Sequence, residues 1–395
     1  MAPASFSELI GQAEAVTFLE RTLETGRFAN GYLFHGPAGV GKGSAALAFA
    51  RALLCERRGL EAQAGLFETA AEGPSDEACG RCAGCGKASR LQHPDLKFLF
   101  PVSGEEKDLD STVQETLEAW RDDPWFVFTY EKAASIRLSL TRALLRELAF
   151  KPYEAGRRVV VVRDADRMRE DQYSAMLKSL EEPGADTLWV LTTSRPTRLP
   201  ATIRSRCQRV RFAALPEAQI AEFLTAKVRL AEPKARVLAA LANGSLGRAL
   251  ELRELEPLEL RNQALALFEP AARGDGPATL KAVQSFNRFG RAGRETLRRL
   301  VEFQELWLRD LLRARYGAPR AALIHRDREA EIRKSAAQIS ATEIRRRLMA
   351  LEDALRAIEG NVTPDLALFS GLMRAGDPGF ETTSWPAHAG GRWDY

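Results

Sequence analysis

The segment GPAGVGKGSA, residues 36–45, constrains the fold of this chain more than any other stretch. It has four glycines and a lysine within eight residues, between the apolar run Tyr32-Leu33-Phe34 and the Ala- and Leu-rich stretch from Ser44 to Leu54. These flanks predict a short buried strand and a helix. A glycine-rich turn from a strand into a helix directs backbone N–H groups and the helix N-terminus toward one point, where an anion can bind. The segment therefore predicts an α/β fold with a phosphate-binding loop.

The loop departs from the phosphate-loop pattern G-x-x-x-x-G-K-[ST] at its last position. Gly36, Gly41 and Lys42 match the pattern. The next residue should carry a hydroxyl that helps to bind Mg²⁺, but it is Gly43, and the hydroxyl of Ser44 comes one residue late. The sequence thus keeps the phosphate-binding glycines and the lysine but lacks one Mg²⁺ ligand.

A second departure follows the apolar run Arg157–Val162, which predicts a central parallel strand. In phosphate-loop ATPases such a strand ends in an Asp that binds Mg²⁺ and a Glu that polarises the attacking water. Here the next residues are Arg163-Asp164-Ala165-Asp166. Shifting the alignment by one residue restores Asp164 as a ligand but leaves Ala165 in place of the Glu. Because Mg²⁺ is central to phosphoryl transfer, we expect no Mg²⁺ and weak or absent hydrolysis; the alternative is a functional ATPase with unusual residues.

Predicted strands alternate with helices as far as Phe212, which indicates a parallel sheet. After Phe212 the strand-like runs stop, and the chain is predicted to be helical, most clearly from Ala341 to Ile358, where apolar residues recur at helical spacing. Before Phe212 the sequence also predicts a polar loop at 59–78 and an irregular acidic surface excursion at 102–123. It further predicts helices at Ile136–Phe150 and Gln172–Leu180 and a buried strand at Leu188–Leu191.

Four cysteines predict a metal site. Cys79, Cys82 and Cys85 are separated by two residues each, and Cys55 at the end of the first predicted helix is the natural fourth ligand. Four thiolates suit tetrahedral Zn²⁺ and leave no position open for catalysis, so the site is predicted to be structural. An iron–sulfur cluster is the alternative, which the short and regular spacing disfavours.

Two further residues near this chemistry are not expected to be ligands. Cys207 stands apart from the other cysteines and is interpreted as a buried structural residue. His93 is the histidine nearest to the cysteine group in the sequence, but a fourth ligand from Cys55 makes it unnecessary.

The composition sets weaker limits. The net charge of +4 permits contact with nucleic acid without requiring it. The N-terminal residues show neither a basic start nor an apolar stretch, and we find no apolar run near the roughly 18 residues of a membrane span. These features predict a cytoplasmic protein without a membrane partner.

Several segments together resemble the bacterial clamp-loader subunits of the AAA+ class, and among these the delta-prime type most closely. The resemblance covers about residues 5–255 and includes the phosphate loop and the four cysteines. Its other segments, in the family's order, are FSELIGQAEAVTFL, SAMLKSLEEP (Ser174–Pro183), LTTSRPTRLPATIRSRC (Leu191–Cys207) and GSLGRAL (Gly244–Leu250).

The resemblance implies a subunit of a hetero-oligomer that loads a sliding clamp onto primer-template DNA with the energy of ATP. Its implied partners are the gamma or tau ATPase subunits and the delta subunit. Gamma and tau would keep Thr or Ser at position 43 and Asp-Glu at 163–164, and this chain departs at both places. We therefore expect a subunit without hydrolysis, and the alternative is an active motor subunit of the gamma type. A phosphate-loop kinase or nucleotide-binding regulator is not expected to contain both the cysteine group and the Ser-Arg-Cys motif.

The resemblance also implies roles for single residues. Arg206, in Ser-Arg-Cys, would reach as an arginine finger into the ATP site of the neighbouring subunit; the alternative is an arginine of a surface salt bridge. Arg248 would be the second-sensor arginine. We expect ATP to bind no more than weakly at the chain's own degenerate site, whose candidate residues are Gly36, Gly39, Gly41, Lys42, Gly43, Ser44 and Arg248.

The expected domain organisation follows from the same resemblance. It comprises a nucleotide-binding-like core with the zinc module inserted in it, a helical lid, a helical collar that mediates oligomerisation, and a loose tail. The core is expected at 1–212, with the zinc module inserted at about 55–98. The lid is expected at 213–257, the collar at 258–379 and the tail at 380–395.

Overall fold

A computed structural model describes residues 5–57, 78–123, 126–129, 134–181, 186–286, 293–360 and 362–376. The predicted tail 380–395 lies outside these residues, and so does the predicted polar loop 59–78 apart from its last residue. Contacts divide the chain into two units. The first includes the residues up to Phe128 and from Ala134 to Glu254, and the second includes Thr129–Ala133 and the residues from Leu255 onward.

The first unit is built on a five-stranded parallel sheet in the order β2-β3-β4-β1-β5. The strands are β1 Gly31–His35, β2 Leu96–Leu99, β3 Arg158–Val162, β4 Thr187–Thr193 and β5 Gln208–Arg211. All five residues of β3 are buried, as expected for a strand between two parallel neighbours. The predicted α/β fold with a parallel sheet is therefore confirmed.

Several helices cover both faces of this sheet, among the ten that the described residues of this unit form. The ten are α1 Ala13–Thr25, α2 Lys42–Leu53, α3 Ala83–Ser89, α4 Leu109–Asp122, α5 Leu138–Glu147, α6 Glu170–Glu181, α7 Ala201–Arg206, α8 Glu217–Ala226, α9 Glu232–Ala242 and α10 Leu246–Leu252. Because strand side chains alternate between faces, the valines of β3 enter two different cores. Val159 and Val161 pack with α1 and α2, whereas Val160 and Val162 pack with α6 and α7.

The prediction of an irregular surface excursion at 102–123 was wrong. Residues Leu109–Asp122 form helix α4, in which Leu109 and Trp120 are buried. Leu109, Val113, Leu117 and Trp120 recur at steps of four, four and three residues, which places them on one helical face. The many acidic residues of this stretch occupy the other positions of the helix. Their number made the stretch resemble a surface loop, although it contains a short apolar stripe.

Helices are the only regular elements in the described residues of the second unit, as predicted. Its helices are α11 Pro257–Ala266, α12 Phe268–Ala272, α13 Gly276–Ser285, α14 Gly293–Arg315, α15 Glu329–Gln338, α16 Ala341–Glu359 and α17 Pro364–Gly376. Within the predicted stripe of α16, Ile344, Leu351 and Ile358 are fully buried. Among the helices of the described residues, we find none with the length and apolarity needed to cross a membrane.

Candidate functional site

The phosphate loop lies at the carboxyl edge of the sheet. It connects β1 to α2, and the backbone N–H of Gly36 donates to the carbonyl of Thr193 at the end of β4, at 3.3 Å. Arg163 follows β3, the other neighbour of β4, so the loop and Arg163 meet at the same edge. Parallel α/β sheets characteristically bind ligands at this edge.

Lys42, the first residue of α2, is turned into the loop. Its Nζ donates to the carbonyls of Gly36 and Pro37 at 2.8 and 2.5 Å. The side chain is almost completely buried, and burial lowers the pKa of Lys42 to about 8. The nearby carboxylates of Asp164 and Asp166 act in the opposite direction and favour the charged form. The predicted lysine is therefore at the centre of the loop.

The first turn of α10 packs directly on the loop. The N–H of Gly247 donates to the carbonyl of Gly39 at 2.9 Å. Gly39 has a φ of +70°, and a Cβ on it would lie only 2.2 Å from Oγ of Ser245. The same turn carries Arg248, whose N–H donates to Oγ of Ser245 at 3.1 Å. The structure thus brings the helix of the predicted second-sensor arginine against the loop, through a contact that only glycine permits at position 39.

A buried glutamine fixes the loop from the other side. Nε2 of Gln12 donates to the carbonyls of Val40 and Ala213, and Oε1 accepts from the N–H of Ala213. Gln12 therefore ties the loop to the segment after β5. We did not single it out from the sequence, although it lies in the quoted segment FSELIGQAEAVTFL.

Arg163 occupies the space beside Gly43. A Cβ placed on Gly43 would lie 2.8 Å from Nη1 of Arg163. The guanidinium also stacks on the ring of Phe128, with Cζ at 3.9 Å from the ring centroid. Such a cation–π contact is attractive and helps to hold the guanidinium in place. The two residues that depart from the ATPase pattern are therefore in contact, and sequence reasoning missed Phe128 as their support.

The residues around this point do not fit Mg²⁺. This ion requires oxygen ligands in near-octahedral geometry, whereas Gly43 offers no side-chain oxygen and Arg163 brings a positive charge. Oδ2 of Asp164 is paired with Nε of Arg163 at 3.6 Å, and Oδ1 of Asp166 accepts from the hydroxyl of Thr193 at 2.6 Å. Ser44 is one residue further along α2, which turns its side chain by about 100° from position 43.

The four predicted cysteine ligands converge. The sulfur atoms of Cys55, Cys79, Cys82 and Cys85 all lie within 4.8 Å of one another. Two of the distances, Cys79–Cys85 and Cys55–Cys82, are 4.0 Å. These sulfurs are not in disulfide bonds. Four thiolates around Zn²⁺ at about 2.3 Å would be about 3.8 Å apart, so the group has the size of a metal site.

Hydrogen bonds link these thiols to the backbone and to one another. Cys82 caps the N-terminus of α3, and its Sγ accepts from the N–H of Cys85 at 3.3 Å. Burial tends to raise the pKa of the Cys79 thiol, but hydrogen bonds from the backbone of Arg81 and Cys82 and from the neighbouring thiols outweigh this and lower it to about 6. The chemistry of the donors fits a thiophilic metal such as Zn²⁺, which would be held by these four residues and would join α3 to the end of α2.

The two residues excluded as ligands have structural roles. Cys207 is buried against the helices of the first unit, and burial raises its pKa to about 11. His93 is also buried; its Nδ1 accepts from the N–H of Asp95 at 3.1 Å, and its Nε2 lies 3.6 Å from a carboxylate oxygen of Glu154.

Arg206 lies at the C-terminal end of α7 and is exposed. Its Nη2 pairs with Oε1 of Glu181 at 2.5 Å, and its Nη1 donates to the carbonyl of Thr202 at 3.0 Å. Glu181 is the last residue of α6 and belongs to the quoted segment SAMLKSLEEP, but sequence reasoning did not connect it with Arg206.

Comparison with known proteins places these features in a family. The family model described as DNA polymerase III, delta subunit, matches residues 11–216, more than half of the 395 residues. The chain belongs to this family. The resemblance to clamp-loader subunits that the sequence predicted is therefore confirmed, and the phosphate loop, Arg163, the cysteine group and Arg206 all lie within the range that this delta subunit family model matches.

Relatives of two kinds are similar to this member of the delta subunit family. The DNA polymerase III subunit delta' of Bacillus subtilis is 26% identical over 89% of this chain and 92% of its own length. The DNA polymerase III subunit tau of Escherichia coli is 28% identical over 72% of this chain, which spans only 36% of that relative. Among solved structures, a DNA polymerase III gamma subunit-related protein of Thermotoga maritima is 16% identical, with a TM-score of 0.43, over 92% of this chain and 98% of its own.

Proposed function

We propose that this chain is a delta-prime-type clamp-loader subunit that does not hydrolyse ATP itself. The observation that carries the proposal is the position of Arg163, whose Nη1 lies 2.8 Å from the point where the side chain of an Mg²⁺-binding Ser or Thr at residue 43 would begin. Without Mg²⁺ bridging the phosphates, the transferred phosphoryl group lacks its main charge stabilisation. The similarity to delta' over nearly its whole length supports the same assignment.

In this proposal the chain acts on the ATP of a neighbouring subunit. Arg206 would supply an arginine finger to a gamma or tau partner, because a guanidinium next to the γ-phosphate stabilises the charge that develops in the transition state. Its exposure at the end of α7 leaves it accessible to such a partner. To reach that site the side chain must leave Glu181, with which it is paired at 2.5 Å.

The remaining parts have supporting roles in the proposed complex. The cysteine group would hold Zn²⁺ and stabilise the segment between α2 and β2. The helical second unit would serve as the collar through which the gamma or tau and delta subunits assemble with this chain. The complex, with this subunit in it, would load the sliding clamp onto primer-template DNA.

The proposal is tested by replacing Arg206 in a clamp loader reconstituted from the full-length subunits. We expect Arg206→Ala to leave assembly intact and to reduce ATP turnover at the adjoining site by about 10³-fold or more, the range of known arginine fingers. Arg209→Ala, an exposed arginine on β5, is the matched control and should leave turnover unchanged.

Two outcomes would contradict the proposal. Unchanged ATP turnover and clamp loading with Arg206→Ala in an intact complex would exclude the role of the arginine finger. Turnover by the isolated wild-type chain at an ordinary ATPase rate, lost in Lys42→Ala, would replace the proposed subunit with an active motor of the gamma type.

A further inference from the structure

The loop retains the features that bind phosphate and has lost those that bind Mg²⁺. Gly36, Gly39 and Gly41 keep positive φ values of 150°, 70° and 100°, a backbone form that lets N–H groups converge on an anion. Lys42 follows them at the start of α2. Beside Gly43, the metal-binding part of the site is replaced by the guanidinium of Arg163.

We infer that this loop binds the polyphosphate of a nucleoside di- or triphosphate without a divalent cation, with the guanidinium of Arg163 supplying the positive charge that Mg²⁺ supplies in ATPases. The inference deepens the proposed function, because it concerns the degenerate site of the same non-hydrolysing subunit. It is independent of Arg206.

The position of Arg163 suits this role. Phe128 supports one face of the guanidinium, and Asp164 pairs with its Nε side. Nη1 is the atom next to Gly43, at the first turn of α2. A guanidinium stays charged at any relevant pH and offers several N–H donors in a plane, which suits the oxygens of a phosphate.

Gly43 is the partner that makes this position possible. A side chain at residue 43 would begin 2.8 Å from Nη1 of Arg163, so a Ser or Thr could be accommodated only if the guanidinium moved away. The glycine and the arginine therefore form a pair: a side chain at residue 43 would displace the guanidinium of Arg163 from its present position.

Lys42 would complete the site by exchanging partners. Its ammonium now donates to two carbonyls of the loop, Gly36 and Pro37. A phosphate oxygen at the centre of the loop offers a charged acceptor instead, and charge-assisted hydrogen bonds are about twice as strong as neutral ones. The bound polyphosphate would thus lie between Lys42 and Arg163.

The first experiment measures ATP and ADP binding to the purified full-length wild-type chain by calorimetry, once with MgCl₂ and once with EDTA. We expect the two dissociation constants to agree within about threefold. The site offers no ligand to Mg²⁺, so removal of the ion breaks no contact with the protein. Binding that falls tenfold or more in EDTA overturns the inference, and so does the absence of binding under both conditions.

Variants then identify the residue responsible. Arg163→Ala should weaken binding in EDTA by about tenfold or more, the loss expected for one charge-assisted contact. Arg169→Ala removes an exposed arginine six residues away and should leave binding unchanged. If Arg163→Ala binds like the wild type, the inference is wrong. Circular dichroism establishes that each variant is folded, and the wild-type comparison in EDTA remains decisive if one is not.

A double variant provides the converse test. Gly43→Thr combined with Arg163→Asp restores the two Mg²⁺ ligands that the ATPase pattern requires and should make nucleotide binding depend on Mg²⁺. A double variant that still binds equally well in EDTA would contradict the role of Arg163. None of these measurements involves a partner subunit. They can therefore contradict this inference while the Arg206 test supports the proposed function, and they can support it while the Arg206 test contradicts that function.

Discussion

Nη1 of Arg163 lies 2.8 Å from the position that a Cβ on Gly43 would occupy. The two residues are far apart in the sequence, and each departs from the pattern of a phosphate-loop ATPase. In the fold they form a single feature, because the loop after β1 and the end of β3 lie at the same edge of the sheet, on either side of β4.

This contact predicts that substitutions at the two positions are not additive. Gly43→Thr should cost more in free energy of unfolding in the wild type than in an Arg163→Ala background, because only the wild type has a guanidinium to displace. For residues in contact the coupling is about 0.5–3 kcal/mol. Urea unfolding of the two single variants and the double variant measures it. Additivity within error would mean that Arg163 moves aside without cost.

The cysteine group should bind one equivalent of zinc. Cys79→Ser is expected to lose the metal and at least about 2 kcal/mol of stability, because structural zinc sites contribute about 10–16 kcal/mol to folding in zinc-finger peptides. Metal analysis and thermal unfolding measure both effects. Cys207→Ala is the control: it also removes a thiol, but it should keep the zinc. Equal zinc content in the wild type and in Cys79→Ser would exclude the site.

The ion pair between Arg206 and Glu181 should be a weak restraint. Both side chains are substantially exposed, at 36% and 47%, and such pairs contribute at most about 1 kcal/mol. Glu181→Gln is therefore expected to leave stability nearly unchanged and to raise partner ATP turnover by up to about fivefold, because Arg206 is released more easily. If Glu181→Gln lowers turnover as strongly as Arg206→Ala, then Glu181 positions the arginine rather than restraining it.

Lys42 should make anion binding depend on pH. Burial lowers its pKa from 10.5 to about 8, so the charged form that attracts phosphate is lost as the pH rises through 8. Phosphate or nucleotide binding is expected to weaken over this range. Nucleotide titrations at pH 7 and pH 9 test this. Arg163 stays charged at both pH values, so its contribution to binding does not change between them. Equal affinity at both pH values would contradict it.

The same pKa shift has a defined sign for stability. The folded state holds the Lys42 proton less tightly than the unfolded state, so burial of the ammonium is unfavourable below pH 8 and this cost disappears as the pH rises to 10.5. Relative to Lys42→Met, the wild type should therefore gain stability between pH 8 and 10.5, by up to about 3 kcal/mol. Urea unfolding of both proteins at pH 7 and pH 10 measures the difference, and an opposite sign would show that the lysine is not buried in its charged form.

In the second unit, Asp310 should be a major contributor to stability. Its fully buried carboxylate accepts hydrogen bonds from the N–H groups of Ile324 and His325, at 2.9 and 2.8 Å, and contacts Nδ1 of His325 at 2.9 Å. Burial alone would raise the pKa of Asp310, but these hydrogen bonds outweigh it and lower the pKa.

Asp310→Ala leaves these donors buried without an acceptor, and we expect a loss of about 3 kcal/mol or more. Because the pKa of Asp310 is lowered, its contribution is present above pH 3.8 and is lost as the pH falls through the lowered value. Glu352→Gln, at an exposed position of α16, is the control. Similar stability of the two variants in urea unfolding would contradict the assignment.

Most of the sheet and several helices could be predicted from local patterns. The apolar run of β3 and the glycine-rich turn after β1 each determine their own backbone form, because burial and glycine geometry act within a few residues. Helix α4 was missed for a related reason: its acidic residues dominate the composition, and only contacts with the rest of the unit select the side on which Leu109 and Trp120 are buried.

The candidate sites divide in the same way. The regular spacing of Cys79, Cys82 and Cys85 indicated which thiols the fold brings together, because three of the four lie in one short segment. Phe128, Gln12 and Glu181 could not be assigned roles, since each acts on a residue that lies far away in the sequence or on another helix.

The sequence by itself determined the α/β fold, the phosphate loop with its two departures from the ATPase pattern, and the group of four cysteines. These features depend on residue type and local spacing. Only the tertiary structure decided that the two departures touch and that Arg206 is paired with Glu181. Such contacts depend on the order of the strands and the packing of the helices, which bring distant residues within a few ångströms of each other.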